Sequence, residues 1–250
     1  MLFADRIILA NYSISAFNAA VTASFVFMIF QLATLAIAGI AEVFVGQNNG
    51  AKRFEQIGVF VWQMIWFSLL SCFIFAPVAY FFGHWFIVEE YHREGLAYFY
   101  TLMYFGPVFP LMMALASFYI GRGKTHLVLS ITLLMNLINV TLDLILVFGI
   151  EGIVPQLGAK GAAIATVTSQ AIASGILFVC FIWRNNRQRF ATNNWRPRWQ
   201  PMSQCIRIGV PSSLGHIFDA GAWAILFNMM ARTSEEHTVV LAIGQSMLLL

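Results

Sequence analysis

The stretch LVLSITLLMNLINVTLDLILVFGI, residues 127–150, decides the fold. It is chiefly Leu, Ile and Val, and an apolar run of about 20 residues is what a helix needs to cross the hydrocarbon core of a bilayer. At about 100° per residue, Thr132, Asn136, Asn139 and Asp143 fall on one face about 60° wide. A stripe of amides with a carboxylate cannot face lipid, so it must line a protein-buried or water-filled cavity. Interhelical hydrogen bonding alone would account for Asn136, but amide pairing does not require the carboxylate. Asn139 with Asp143 therefore reads as an ion or proton site.

Working outward, residues 16–45, 58–88, 96–120, 161–183 and 208–231 are also apolar and long enough to span. Residues 238–250 read as part of a further span, and residues 1–10 as the second half of one. Both ends thus read as cut, and the expectation is an all-α polytopic helical bundle, truncated after about eight helices. Composition agrees: 60% of residues are apolar and only 10% charged, against about 25% charged in a soluble domain. Basic residues sit in short loops rather than in a stripe or tail, which argues against nucleic acid as a partner. Three Cys cannot make a paired framework, and Cys72 and Cys180 lie inside apolar runs.

Lys52, Arg53, Arg122, Lys124, Arg184, Arg187, Arg189, Arg196, Arg198 and Arg207 fall in alternate loops, while the other side holds only Arg6, Arg93, Lys160 and Arg232. That bias places the basic loops and the N-terminal side in the cytoplasm. Residues 184–207 carry six Arg and no acid. They read as a cytoplasmic linker held at the headgroups by Trp195 and Trp199. The expected layout is a six-helix lobe over 1–183 with its first helix incomplete, the linker 184–207, and over 208–250 the start of a second lobe. Asp5 and Asp219, each followed by a short loop and an apolar run, hint that the second start repeats the first.

A charge inside a span costs about 2.5–3.5 kcal/mol on insertion scales, so each one needs an account. Glu42, close to Lys52 and Arg53, reads as an ordinary interfacial acid. Asp5 is either functional or an ion-pair partner of Arg6. Asp219 has only His216 within pairing reach along its helix. Thr166, Ser169 and Gln170 share a broad face that packing alone would explain. Gly106, Pro107, Pro110, Pro77 and Pro211 mark kinks.

These residues resemble the multidrug and toxic compound extrusion (MATE) transporters. The resemblance rests on GQNNGAKR at 46–53, NVTLDLILVFG at 139–149, GAKGAAIAT at 158–166, FADR at 3–6, and the stretch from Gly209-Val210-Pro211 to Asp219. It implies twelve helices in two lobes of six and a cation-coupled antiport, with the chain covering the first lobe and the start of the second. Carried over, Asp5, Asn139, Asp143 and Thr166 match the acidic cavity of the first lobe, with Na⁺ a possible ligand of Asp5, Asn139 and Asp143. Asp219 matches an acid on the seventh helix in one branch of the family.

The implied coupling ion is H⁺ or Na⁺, with no organic cofactor. The implied substrate is a small organic cation, and the setting a bacterial inner membrane, with lipid as the surrounding partner and a monomer at full length. Ionised acids attract the cation or Na⁺ and protonated acids release it, so competition for the same carboxylates suffices for coupling. Phe17, Phe25 and Tyr119 are candidates either for an adaptable aromatic wall or for plain lipid-facing packing. A lipid-linked oligosaccharide flippase of the same superfamily is the alternative, but it should present a cationic cavity. A membrane-embedded enzyme finds no His-Glu-x-x-His, no Gly-x-Ser-x-Gly and no metal-spaced Cys/His cluster.

Overall fold

The computed structural model describes residues 2–86, 92–231, 240, 241 and 244. The expected span at 238–250 lies almost wholly outside the described residues, and Arg232 wholly so. The helices are α1 (Leu2–Tyr12), α2 (Ile14–Gly39), α3 (Ala41–Gly50), α4 (Ile57–Leu70), α5 (Cys72–Phe86), α6 (His92–Tyr104), α7 (Val108–Ile120), α8 (Thr125–Phe148), α9 (Ala159–Phe181), α10 (Arg184–Phe190) and α11 (Trp199–Ala231). Among the described residues there is no strand, only one bridge between Ile150 and Val154.

Five of the expected spans are present as helices long and apolar enough to cross a membrane. They are Ile14–Gly50, Phe54–Phe81, α8, α9 and the α6–α7 pair, which is bent by 42° at its break. The bend falls at Gly106-Pro107, as the sequence suggests, because the ring of Pro107 disfavours helical geometry in the residue before it. The α4–α5 break falls at Ser71 rather than Pro77: the Ser71 hydroxyl donates to the Ser68 carbonyl at 2.6 Å, a local bond that competes with the helical ladder. Ser13 caps α2, its hydroxyl accepting from the Ala16 amide at 3.4 Å.

The span expected at 208–231 lies in α11, which is long enough to cross but is not among the helices apolar enough to qualify. His216, Asp219 and the Ser212-Ser213 pair dilute it. The helix also starts earlier than expected, at Trp199, with Pro201 in its first turn, where a missing N–H costs no helical bond.

α8 packs on α9, α4 on α7, and α11 along α2. Two apolar clusters result. One joins α1, the first part of α2, α5, α6 and the adjoining ends of α8 and α9. The other joins the end of α2 with α3, α4, α7, α10 and the far ends of α8 and α9, next to the basic loops. On α8, Ile131, Met135, Asn139, Asp143 and Val147 form the buried row, whereas Leu129, Leu133, Leu137 and Leu144 point outward. An outward row of leucines suits a helix whose solvent is lipid. A β-carbon on Gly161 would sit 2.5 Å from the Leu146 carbonyl oxygen, so only glycine permits this approach of α9 to α8.

Residues 191–198 depart from the sequence reading in their anchorage. Trp62, Gln63 and Trp66 of α4 hold this segment: Trp62 Nε1 donates to Thr192 O at 2.7 Å and Trp66 Nε1 to Trp195 O at 2.7 Å. Gln63 donates to Arg196 O at 3.3 Å and accepts from the Arg198 amide at 2.8 Å. The segment is therefore strapped to protein by its backbone, while the rings of Trp195 and Trp199 stay exposed. α10 occupies much of what remains of the expected linker.

Candidate functional site

Asp5 on α1, Asn139 and Asp143 on α8, and Thr166 on α9 meet inside the bundle. Thr166 Oγ1 donates to Asp5 Oδ2 at 3.1 Å, and Asn139 Nδ2 reaches Thr166 Oγ1 at 3.4 Å. The carboxyl groups of Asp5 and Asp143 lie close enough to interact with each other. Asn139 and Asp143 are fully buried, and Asp5 is 7% exposed.

The local sequence explains the meeting. The i, i+4 spacing of Asn139 and Asp143 stacks them one turn apart on the row that faces the bundle. The close approach at Gly161 brings the first turns of α9 against the end of α8, so that Thr166 arrives beside them. Pairing across Asp5 then needs only that α1 lies against α8, which it does.

This cluster is rich in acceptors and poor in donors. Asp5 Oδ1, Asn139 Oδ1 and both carboxylate oxygens of Asp143 are buried without a hydrogen-bond donor. The Asp5–Asp143 contact is one of acceptor to acceptor until a proton or a cation lies between them, because two bare carboxylates repel. Buried acceptors left unmet cost about 1–3 kcal/mol each, more when charged. The donor set is all oxygen, two carboxylates with an amide and a hydroxyl, which suits a proton or a hard cation. Among the described residues no group of three or more His, Cys, Asp or Glu gathers as a metal cluster.

Beside the cluster lies a cavity of about 210 Å³. Asp5, Arg6, Thr166, Gln170 and Tyr98, with Ser24 and Gln31, supply its polar lining, and Phe25, Phe27 and Phe109 much of the apolar one. Tyr98 shares a hydrogen bond with Ser24 at 3.0 Å, and Gln170 Nε2 donates to the Met112 sulfur at 3.0 Å.

Of the residues singled out from sequence, Asp5, Asn139, Asp143 and Thr166 are brought together. Asp219 is not among them: it is exposed on α11 and does not line the cavity beside the cluster. Thr132 and Asn136 are only half-buried, so the polar stripe of α8 narrows to Asn139 and Asp143, and the Asn136 amide donates to Thr132 O within the same helix at 2.9 Å. Ser169 turns to the Thr166 carbonyl and serves packing. Of the proposed aromatic wall only Phe25 lines this cavity. Phe17 borders a narrow recess behind Asp5, and Tyr119 belongs to the other cluster. Tyr98 and Phe109 escaped sequence reading because an aromatic in an apolar run carries no sign of which way it faces.

The MatE family model matches residues 1–145. A probable multidrug resistance protein NorM of Thermotoga maritima is 24% identical over 229 residues, covering 88% of this chain and 49% of that protein. The Bacillus cereus protein of the same name is 29% identical over 201 residues, covering 76% and 43%. The chain thus spans about half the length of the curated relatives it matches. Among solved structures, an inward-facing multidrug resistance MATE transporter of the MOP superfamily is similar with a TM-score of 0.80 at 18% identity, over 98% of this chain and 57% of the other. A MOP superfamily transporter from Pyrococcus furiosus, described as having a binding pocket of reverse polarity, is similar with a TM-score of 0.78 at 18% identity, over 99% and 55%.

Proposed function

The chain belongs to the MatE family, a family of multi-pass membrane transporters, and we propose that it works as a cation-coupled antiporter that exports small organic cations. The observation that carries this reading is the buried set of acceptor oxygens on Asp5, Asn139 and Asp143, unmet by any donor and adjoining an aromatic-lined cavity. Such a site is complete only with a proton or a cation in it.

In the proposed cycle, Asp5 and Asp143 share a proton, or hold Na⁺ with Asn139 and Thr166 as neutral ligands. The substrate cation enters the neighbouring cavity and competes for Asp5, which with Thr166 borders that space. Binding of one ligand lowers affinity for the other, and that reciprocity is what couples their fluxes. Exchange between openings on the two sides of the membrane then moves them in opposite directions. Asp219 is the candidate for a second acid, acting from the start of the other lobe. The basic loops favour an orientation with residues 184–198 in the cytoplasm, in a plasma membrane that in a bacterium is the inner one. The assignment is to a transporter rather than an enzyme.

Efflux of a fluorescent organic cation from vesicles holding the full-length protein, under an imposed pH or Na⁺ gradient, tests the reading. Efflux driven by either gradient is the expected result, and it names the coupling ion. Correctly inserted protein that moves no cation under either gradient would overturn the antiporter assignment.

A further inference from the structure

At the basic end of the bundle an open cleft of about 730 Å³ lies between the start of α4, α10 and the start of α11. Arg187 and Arg198 line it, with Gln188, Asn194 and Gln204 among its amides, and Glu55 is its one acid among the described residues. The N-terminus of α11 opens into the same space through Trp199 and Gln200, and a helix N-terminus favours an anion.

The arginines of this end fall into two sets. Arg122 stacks on Phe118 and Phe190, and Arg189 on Phe54 and Phe190, so both guanidiniums are committed to aromatic rings. Arg187 and Arg198 make no such contact and no ion pair among the described residues, and both are exposed where they line the cleft. Their backbone is nevertheless fixed. Fully buried Gln63 accepts from the Arg198 amide at 2.8 Å, and Asn186, next to Arg187, donates to Cys180 O at 2.7 Å, tying α10 to the end of α9. Two guanidiniums on anchored backbone, surrounded by amide donors, form a set that a phosphate completes, because the planar fork of each matches a pair of its oxygens.

Depth decides which phosphate. Glu55, Gln56, Val59 and Phe60 of the lining are among the first residues of the membrane-crossing stretch Phe54–Phe81. Val59 and Phe60 are buried and give the cleft an apolar floor, while Trp199, 77% exposed, stands in its wall. Trp195, on the strap, is 57% exposed. Exposed indoles at the mouth of a span belong to the headgroup layer. A phosphate at that depth is one that carries acyl chains.

We propose that this cleft binds the headgroup of an anionic phospholipid from the leaflet facing the basic loops, with Arg187 and Arg198 as its phosphate ligands. Such a lipid joins α4 and α10 to the start of α11, and its binding depends neither on the coupling ion nor on the exported substrate.

The test titrates purified full-length protein in neutral detergent with dioleoylphosphatidylglycerol and counts bound lipid by native mass spectrometry. Saturable binding is expected, not displaced by dioleoylphosphatidylcholine or by excess inorganic phosphate. Arg187→Gln combined with Arg198→Gln is expected to weaken it at least about tenfold, the worth of one charge-assisted hydrogen bond. Arg184→Gln combined with Arg207→Gln removes the same charge from arginines that do not line the cleft, and is expected to leave the affinity within about twofold. Equal losses in the two double variants would reduce the cleft to general polybasic attraction and overturn the proposal. Undiminished binding by the cleft variant overturns it as well. Displacement by inorganic phosphate would assign the cleft to a soluble anion instead of a lipid. Absence of a saturable preference for phosphatidylglycerol in the unmodified protein overturns the proposal even where a variant fails to insert, and leaves the antiporter reading untouched.

Discussion

At the basic end of the bundle Phe118 closes edge-on against Phe181 and Phe190, with ring centroids 5.0 and 5.6 Å apart, and Phe44 stacks on Phe60 at 4.4 Å. The Arg122 guanidinium lies 3.8 Å from the Phe190 ring centroid and 4.4 Å from that of Phe118. Gln63, fully buried, has both its amide nitrogen and its carbonyl oxygen engaged. Around Asp5 and Asp143 lie instead a cavity, lined chiefly by α2 with residues of α1, α6, α7 and α9, and a set of acceptors with no donor. A buried polar group that is fully met serves to fix one arrangement, while one that is left unmet invites a ligand. Gln63 and Asp143 are both buried polar residues in apolar helices, and their partners separate their roles.

The comparison breaks first at Asp143. Asp143→Asn in the full-length protein is expected to abolish gradient-driven efflux while membrane insertion and yield stay normal. Efflux at the original rate would show that Asp143, like Gln63, is a packing residue. Next in size is Gly161→Leu, which forces α9 off α8 where a β-carbon already sits 2.5 Å from a carbonyl oxygen. Overpacking of this kind costs about 1–3 kcal/mol, and it should lower the melting temperature in detergent and weaken efflux together, because Thr166 leaves Asp5.

Gln63→Leu sharpens the contrast from the other side. It removes the acceptor of the Arg198 amide and should cost about 1–3 kcal/mol, read as a lower melting temperature and faster proteolysis within residues 191–198. The coupling ratio of ion to substrate is expected to stay unchanged; a change in it would tie the strap to the transport cycle. The smallest effect belongs to Thr141→Val on the outward face of α8, where the hydroxyl bonds only to Leu137 O at 2.8 Å. Melting temperature should shift by less than about 0.5 kcal/mol equivalent, and efflux should be untouched.

Much of the fold could be read from the sequence because spans are written in long apolar runs that lipid makes obligatory. Five of them stand where the runs place them, and the α6–α7 bend falls at Gly106-Pro107. Asn139 and Asp143 were legible for the same reason, since amides and acids are costly in such a run. Asp5 and Thr166 were legible as partners only through the family resemblance, since nothing along the chain brings α1 to α9.

Arg6 was read as a neighbour of Asp5 and not as cavity lining, because adjacent positions on a helix point about 100° apart and the sequence does not say which one faces inward. The start of α11 at Trp199 was hidden by arginines that resemble linker. The strap on α4 left a usable signal in Gln63, the lone amide of an apolar stretch, flanked at helical spacing by Trp62 and Trp66, whose N–H groups each need an acceptor.

The central claim is that Asp5 and Asp143 hold the coupling ion and surrender it to substrate. Proton release can be followed with a pH-sensitive dye while substrate cation or Na⁺ is added to the purified full-length protein in weakly buffered detergent solution. The account predicts saturable release on addition of the ligand, lost when Asp5→Asn and Asp143→Asn are combined. Undiminished release from that double variant would contradict it.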